Sequence, residues 1–80
     1  MINSALTVNL DADRTTPKIF SRRGRTYRVT DVQDCWRLVG NWWDGHGEKT
    51  FFRVQVSDGG IFELAYDHMN RVWQLHRIED

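Results

Sequence analysis

The sequence predicts an all-β fold: a single small domain of five or six antiparallel strands in a bent meander, closing into an SH3-like or split barrel. Three observations predict it. The stretch from Thr50 to Ile78 holds three alternating runs, separated by Ser57-Asp58-Gly59-Gly60 and by Asp67-His68-Met69-Asn70. Such runs with tight turns between them are the pattern of a three-stranded meander. In the first run Phe52, Val54 and Val56 share one face, and in the second Phe62, Leu64 and Tyr66 do. Arg53, Gln55 and Glu63 alternate with them, so one face reads as apolar and the other as wet. Upstream, two more runs flank Arg23-Gly24, where the glycine supplies the positive φ of a tight hairpin turn. Finally, apolar parity slips by one residue near Thr30 and Asp31, which a β-bulge explains and a bending barrel strand requires.

Taken in order, strands are expected near residues 5–10, 17–22, 25–38, 50–56, 61–66 and 71–78, with residues 1–4 frayed. Leu6, Val8 and Leu10 fall on one face of the first strand. Asp11 to Thr16 is turn chemistry closed by Pro17, which pushes Thr16 into extended backbone. In the long third strand Tyr27 and Val29 share a face. Beyond the slip, Val32, Trp36 and Leu38 fall on one parity, with Asp34 the exception. A helix over Asp31–Val39 is the competing reading there, but two turns rich in β-branched and aromatic residues make a marginal helix. Gly40 to Lys49 is the one long irregular segment, and only one of its neighbours Trp42 and Trp43 can face a given core. In the last strand Trp73 and Leu75 oppose Val72 and Ile78, so both faces read as covered, as in a closed barrel.

Eighty residues make one domain. A chain of this size buries only about 60–65% of its unfolded surface, so its core must be efficient. Ten aromatics supply it, each able to bury on the order of 150–250 Å². The lone Cys35 forms no intrachain disulfide and suits a reducing, cytoplasmic setting. No basic, apolar leader precedes the first strand, and no apolar run reaches the roughly 18 residues of a membrane helix, so no membrane is implied. Net charge is zero, yet Arg14, Lys18, Arg22, Arg23, Arg25 and Arg28 cluster before Val29, and acids dominate after it. That asymmetry could steer a polyanion to one side.

The pattern argues against an enzyme. His46, His68, His76 and Cys35 are metal-ligand types without metal-ligand spacing, so no metal or other cofactor is implied. Cys35, read as a buried or half-buried thiol, has no flanking catalytic signature. Asp31 with Asp34, and Glu79 with Asp80, read as solvated acids, and Asp58-Gly59-Gly60 leads into a strand rather than a phosphate-binding helix. The feature with functional content is the basic hairpin with aromatics near it. Arg22, Arg23, Arg25 and Arg28 are placed for phosphates, and Trp42 or Trp43 for stacking on a base, the combination used by single-strand binders on small barrels.

Pro17-Lys18-Ile19-Phe20, Arg23-Gly24-Arg25-Thr26-Tyr27-Arg28-Val29, Trp42-Trp43, Gly59-Gly60-Ile61-Phe62-Glu63-Leu64 and Trp73-Gln74-Leu75-His76-Arg77 together resemble a family of small bacterial domains of unknown function. The likeness runs from about Leu6 to Asp80. Domains like it also form the C-terminal piece of inactive, Y-family-polymerase-like proteins that act with translesion repair polymerases. The resemblance implies a non-enzymatic accessory module in DNA repair or damage tolerance, with single-stranded DNA or a repair polymerase as partner. The alternative is a protein-interaction module that docks through an edge strand and the Trp42-Trp43 loop, as a monomer or a weak homodimer.

Overall fold

The computed structural model describes residues 5–40 and 47–79, so the calls on residues 1–4, on His46 and on the exposure of Trp42 and Trp43 lie outside the described residues. Within them the chain is all strand: β1 (Ala5–Leu10), β2 (Pro17–Arg22), β3 (Arg25–Val39), β4 (Glu48–Val56), β5 (Ile61–Asp67) and β6 (Val72–Glu79). Each strand pairs antiparallel with its chain neighbour, and β1 returns to β6 to close the barrel. The helical alternative over Asp31–Val39 is excluded, because every residue there except Gln33 pairs with β4.

The two short turns follow from their residues. Arg23 and Gly24 both take positive φ, 52° and 78°, and Arg22 pairs directly with Arg25, which makes a two-residue hairpin of the mirror-image type I kind. In the β4–β5 turn Gly59 has φ 93°, the Val56 amide donates to the Gly60 carbonyl, and the Asp58 carboxylate accepts from the Gly60 amide.

The barrel interior is filled by Leu6, Phe20, Phe52, Val54, Val56, Phe62, Leu64 and Leu75, with Val8, Tyr27, Val29 and Trp73 packed against them. Phe20, Tyr27 and Phe62 form its aromatic centre, with ring centroids 4.9–5.3 Å apart. An aromatic cluster of this kind gains from edge-to-face and offset contacts beyond its buried area.

Four bulges set which side chains enter that interior. Lys18 interrupts β2, Thr30 and Gln33 interrupt β3, and His76 interrupts β6. The bulge near Thr30 is the one the parity slip predicts. Gln33 adds a second slip, and this corrects the reading that Val32, Trp36 and Leu38 share a face. Val32 stays opposite Val54 on the inner face, whereas Trp36 turns outward and stacks on Phe51 at 5.3 Å and 7°. The His76 bulge likewise returns Ile78 to the face of Leu75 and Trp73, leaving Val72 outside.

The outer face of the meander is not simply wet, which is a second correction. Phe51, Glu63 and Ala65 are buried there beneath Trp36, His76 and Arg53. Arg53 holds Glu63 at 3.2 Å and hydrogen-bonds Glu79 as well, so the one buried glutamate of this face is paired.

Candidate functional site

In an up-and-down barrel the β2–β3 and β4–β5 turns lie at one end, and the other connections lie at the opposite end. The sequence-predicted cations are at the first. Arg25 reaches Asp58 at 4.0 Å and lies 5.4 Å over the Tyr27 ring, while the Ser57 amide donates to the Arg28 carbonyl. The hairpin does not gather its arginines on one surface. Arg22 and Arg25 pair on the face of Phe20 and Tyr27, Arg28 pairs with Ile19 on the other face, and Arg23 forms the tip. Trp42 and Trp43 lie outside the described residues, so their position relative to this hairpin is not part of the geometry.

The opposite end holds a cavity of about 560 Å³. Its wall is made by inward-facing residues of four strands: Cys35 and Arg37 of β3, Thr50 and Phe52 of β4, Tyr66 of β5 and Trp73 of β6. Leu10 closes one side. Arg14 and Thr15 from the β1–β2 loop, and His68 and Arg71 from the β5–β6 turn, form the rim. The aromatic part of the wall is continuous: Trp73 lies 5.0 Å from Tyr66 and 5.8 Å from Phe52.

Strand pairing explains why a cavity forms at this end. Among the described residues, β3 beyond Arg28 leaves β2 and pairs only with β4, and β1 meets β6 at two positions. The sheet therefore splays where β3 swings away, and side chains line the gap without filling it. A shallower groove of about 220 Å³ lies beside the point of departure, between Asp11–Lys18 and Val29–Val32.

Each loop that carries a rim arginine is organised by an aspartate. The Asp13 carboxylate accepts from the amides of Thr15 and Thr16 and from the Thr16 hydroxyl, and these bonds hold its pKa down at about 2. Asp67, itself buried, accepts from the Asn70 side chain and from the amides of Asn70 and Met69, with Asn70 the main cause of its lowered pKa. Both arginines then sit in left-handed backbone, Arg14 at φ 62° and Arg71 at φ 55°. Glycine or asparagine occupies that region at lower cost, so side-chain chemistry is gained there against backbone preference.

The charged side chains in the described lining are Arg14, Arg37 and Arg71. Neither Arg14 nor Arg71 is within salt-bridge distance of a carboxylate among the described residues. Arg37 is held by Glu48 at 2.7 Å, and Glu48 also lies 4.0 Å from the His68 ring. His68 Nε2 and the Thr50 hydroxyl hydrogen-bond at 2.7 Å, which places a paired donor and acceptor in the wall. Such a cup can stack a planar ring, satisfy one or two polar edges and receive an anion at its rim.

Sequence reasoning missed this site. The sequence places Arg37 and Arg71 in the half where acids outnumber cations, and Tyr66 and Trp73 among the alternating residues of strand faces. Cys35 is exposed on the cavity wall rather than buried, because the Gln33 bulge gives the inner face at this level to Cys35 and Arg37. No local motif marks a cup assembled from five separate segments; the left-handed positions of Arg14 and Arg71 are visible only in the backbone. Among the described residues no three acidic, histidine or cysteine side chains gather as a metal site would need, and no helix is long and apolar enough to cross a membrane.

The sequence model of a family described as a domain of unknown function, DUF6504, matches residues 4–80. The chain belongs to the DUF6504 family. No curated protein and no solved structure matches it. The family places the whole described barrel, cup and hairpin alike, inside one recurring domain rather than in a domain plus an added tail.

Proposed function

We propose that this DUF6504 domain is a non-enzymatic accessory module that binds single-stranded nucleic acid at the open mouth of its barrel. The observation that carries the reading is the convergence of Arg14, Arg37 and Arg71 with Phe52, Tyr66 and Trp73 on one cavity. Cations that follow phosphates and rings on which bases stack are the two components of sequence-tolerant strand binding. The likeness to the C-terminal piece of translesion accessory proteins supports a setting in DNA repair or damage tolerance. The hairpin arginines, at the other end, are available to a longer strand that wraps the barrel.

Titration of the domain with a single-stranded deoxythymidine oligomer at low salt tests the reading. Tryptophan emission is quenched on binding, and Arg14→Glu with Arg71→Glu weakens affinity by about tenfold or more, as loss of two phosphate contacts requires. A flat titration at low salt defeats it.

One observation favours a second reading, protein docking. From Asp31 to Val39 the strand β3 pairs on one side only among the described residues, and it exposes Leu38 and Val39 at 57% and 76%. An open edge with apolar side chains accepts an added strand from a partner. Capture of a repair polymerase that falls on Leu38→Lys with Val39→Lys, while oligomer binding stays intact, supports this reading over the first.

A further inference from the structure

We propose that the cup seats one unstacked nucleotide unit, its base against the Trp73–Tyr66 wall and its phosphate at Arg14 and Arg71. This rests on the reading that the mouth binds single strands, and it fixes how much of the strand enters and which groups meet it.

The floor decides the stoichiometry. Below Phe52 and Trp73 the interior is filled by Leu64 and Leu75, which are 0% and 1% exposed, with Leu6 beside them. Among the described residues no channel continues past these packed side chains, so a strand does not thread the barrel. A cavity of about 560 Å³ falls in the range of roughly 300–1,000 Å³ typical of pockets for a single small ligand. One base and its sugar belong to that class; a run of stacked bases does not.

The wall decides the orientation. Trp73 and Tyr66 touch each other at 5.0 Å and an angle of 49°, so they leave no slot between them, and a base lies against the face they present. Thr50 and His68, joined at 2.7 Å, lie on the same wall, and the Thr50 hydroxyl keeps a further hydrogen-bonding position for the base edge. Arg14 and Arg71 stand on the two loops that border the mouth, free of carboxylates among the described residues, with the planar forks that suit phosphate oxygens. Arg37 is already turned to Glu48 at 2.7 Å and contributes charge more than a contact. Withdrawing a base from a stack costs a few kcal/mol, so single strands and free nucleotides are the two sources of this unit.

The test uses the full chain and three probes at low salt: a deoxythymidine oligomer, an oligomer of equal length with abasic units, and thymidine monophosphate. Base stacking on aromatic side chains is worth about 1–3 kcal/mol per base, so the abasic oligomer binds roughly 5- to 150-fold more weakly. Thymidine monophosphate at millimolar concentration displaces the intact oligomer. Trp73→Leu removes most of the difference between the two oligomers. Arg71→Gln, an exposed change that leaves the fold intact, weakens both oligomers alike. Equal affinity for the intact and abasic oligomers overturns the proposal while leaving single-strand binding standing. Binding of the monophosphate with no binding of either oligomer upholds the nucleotide cup and removes the strand-binding reading.

Discussion

Arg53 joins two acids of the outer face, and its own pKa is raised chiefly by its hydrogen bond to Glu79. Glu79 in turn is held below its ordinary value of 4.5 by Arg53, and Asp67 is lowered by Asn70. A carboxylate depressed in the folded state stabilises fully above its unfolded pKa, and that contribution is lost as pH falls through the folded value. Thermal stability is therefore expected to be level from pH 7 to about 5 and to fall steadily below about 4.5, followed by circular dichroism. Glu79→Gln flattens the acid limb; an unchanged limb removes the pair from the account. Arg53→Ala leaves Glu63 buried, with the His76 ring 3.9 Å away and Arg77 as its cross-strand neighbour. The melting temperature then falls, and Glu63→Gln added to Arg53→Ala recovers part of the loss, because the uncompensated charge is removed. Little of this residue-scale chemistry was legible beforehand. Alternation assigns Arg53 and Glu63 to the outer face correctly, but alternation reports which side a residue takes and nothing about what lies over it. His76, on the outer face next to inward-facing Leu75, places its ring 4.9 Å from that of Phe51.

At the scale of the element, β3 shows where sequence parity succeeds and where it fails. One slip near Thr30 was visible because Tyr27 and Val29 set a clear apolar phase before it. The slip at Gln33 was not, because Gln33, Asp34 and Cys35 carry no apolar signal to break. Deleting Gln33 removes the extra residue and leaves a continuous ladder in which Cys35 still pairs with Phe52 and Arg37 with Thr50 on the cavity side, with Trp36 still outside on Phe51. The expected outcome is that oligomer-induced quenching is retained, measured with the melting temperature on the same preparation, and its loss would show that the bulge itself shapes the cup. The loops carry a parallel expectation. Asp67→Ala removes three hydrogen bonds that shape the turn before Arg71. Binding at the cup is expected to weaken several-fold with the far-ultraviolet dichroism unchanged, since the strands on either side remain paired. The turn residues themselves were legible, as Asp and Asn in such positions are strong signals. Which loop side chains converge on one mouth was not, because that depends on closure of the barrel.

For the molecule as a whole, closure converts a charge asymmetry along the sequence into a different pattern in space. The basic run before Val29 suggested one cationic side. In the barrel, Arg22, Arg23 and Arg25 stand at one end, with Arg25 beside Asp58, while Arg14 stands at the other end with Arg37 and Arg71. A polyanion therefore meets two separate cationic ends, and ionic strength tells which of them it uses. Each phosphate contact on a single strand contributes a log–log salt slope of about −0.7. Binding confined to the cup engages at most its three arginines and predicts a slope of about −2 for a short oligomer. A strand long enough to reach the hairpin adds Arg22, Arg23, Arg25 and Arg28 and steepens the slope toward about −5. The expected result is a slope near −2 for a tetramer that steepens with oligomer length. Arg23→Ser with Arg28→Ser returns the long oligomer toward the shallow value and leaves the tetramer unchanged. A tetramer that loses its affinity on those hairpin changes, yet ignores Arg14→Glu and Arg71→Glu, moves the primary site to the end of the barrel that holds no cavity of this size among the described residues.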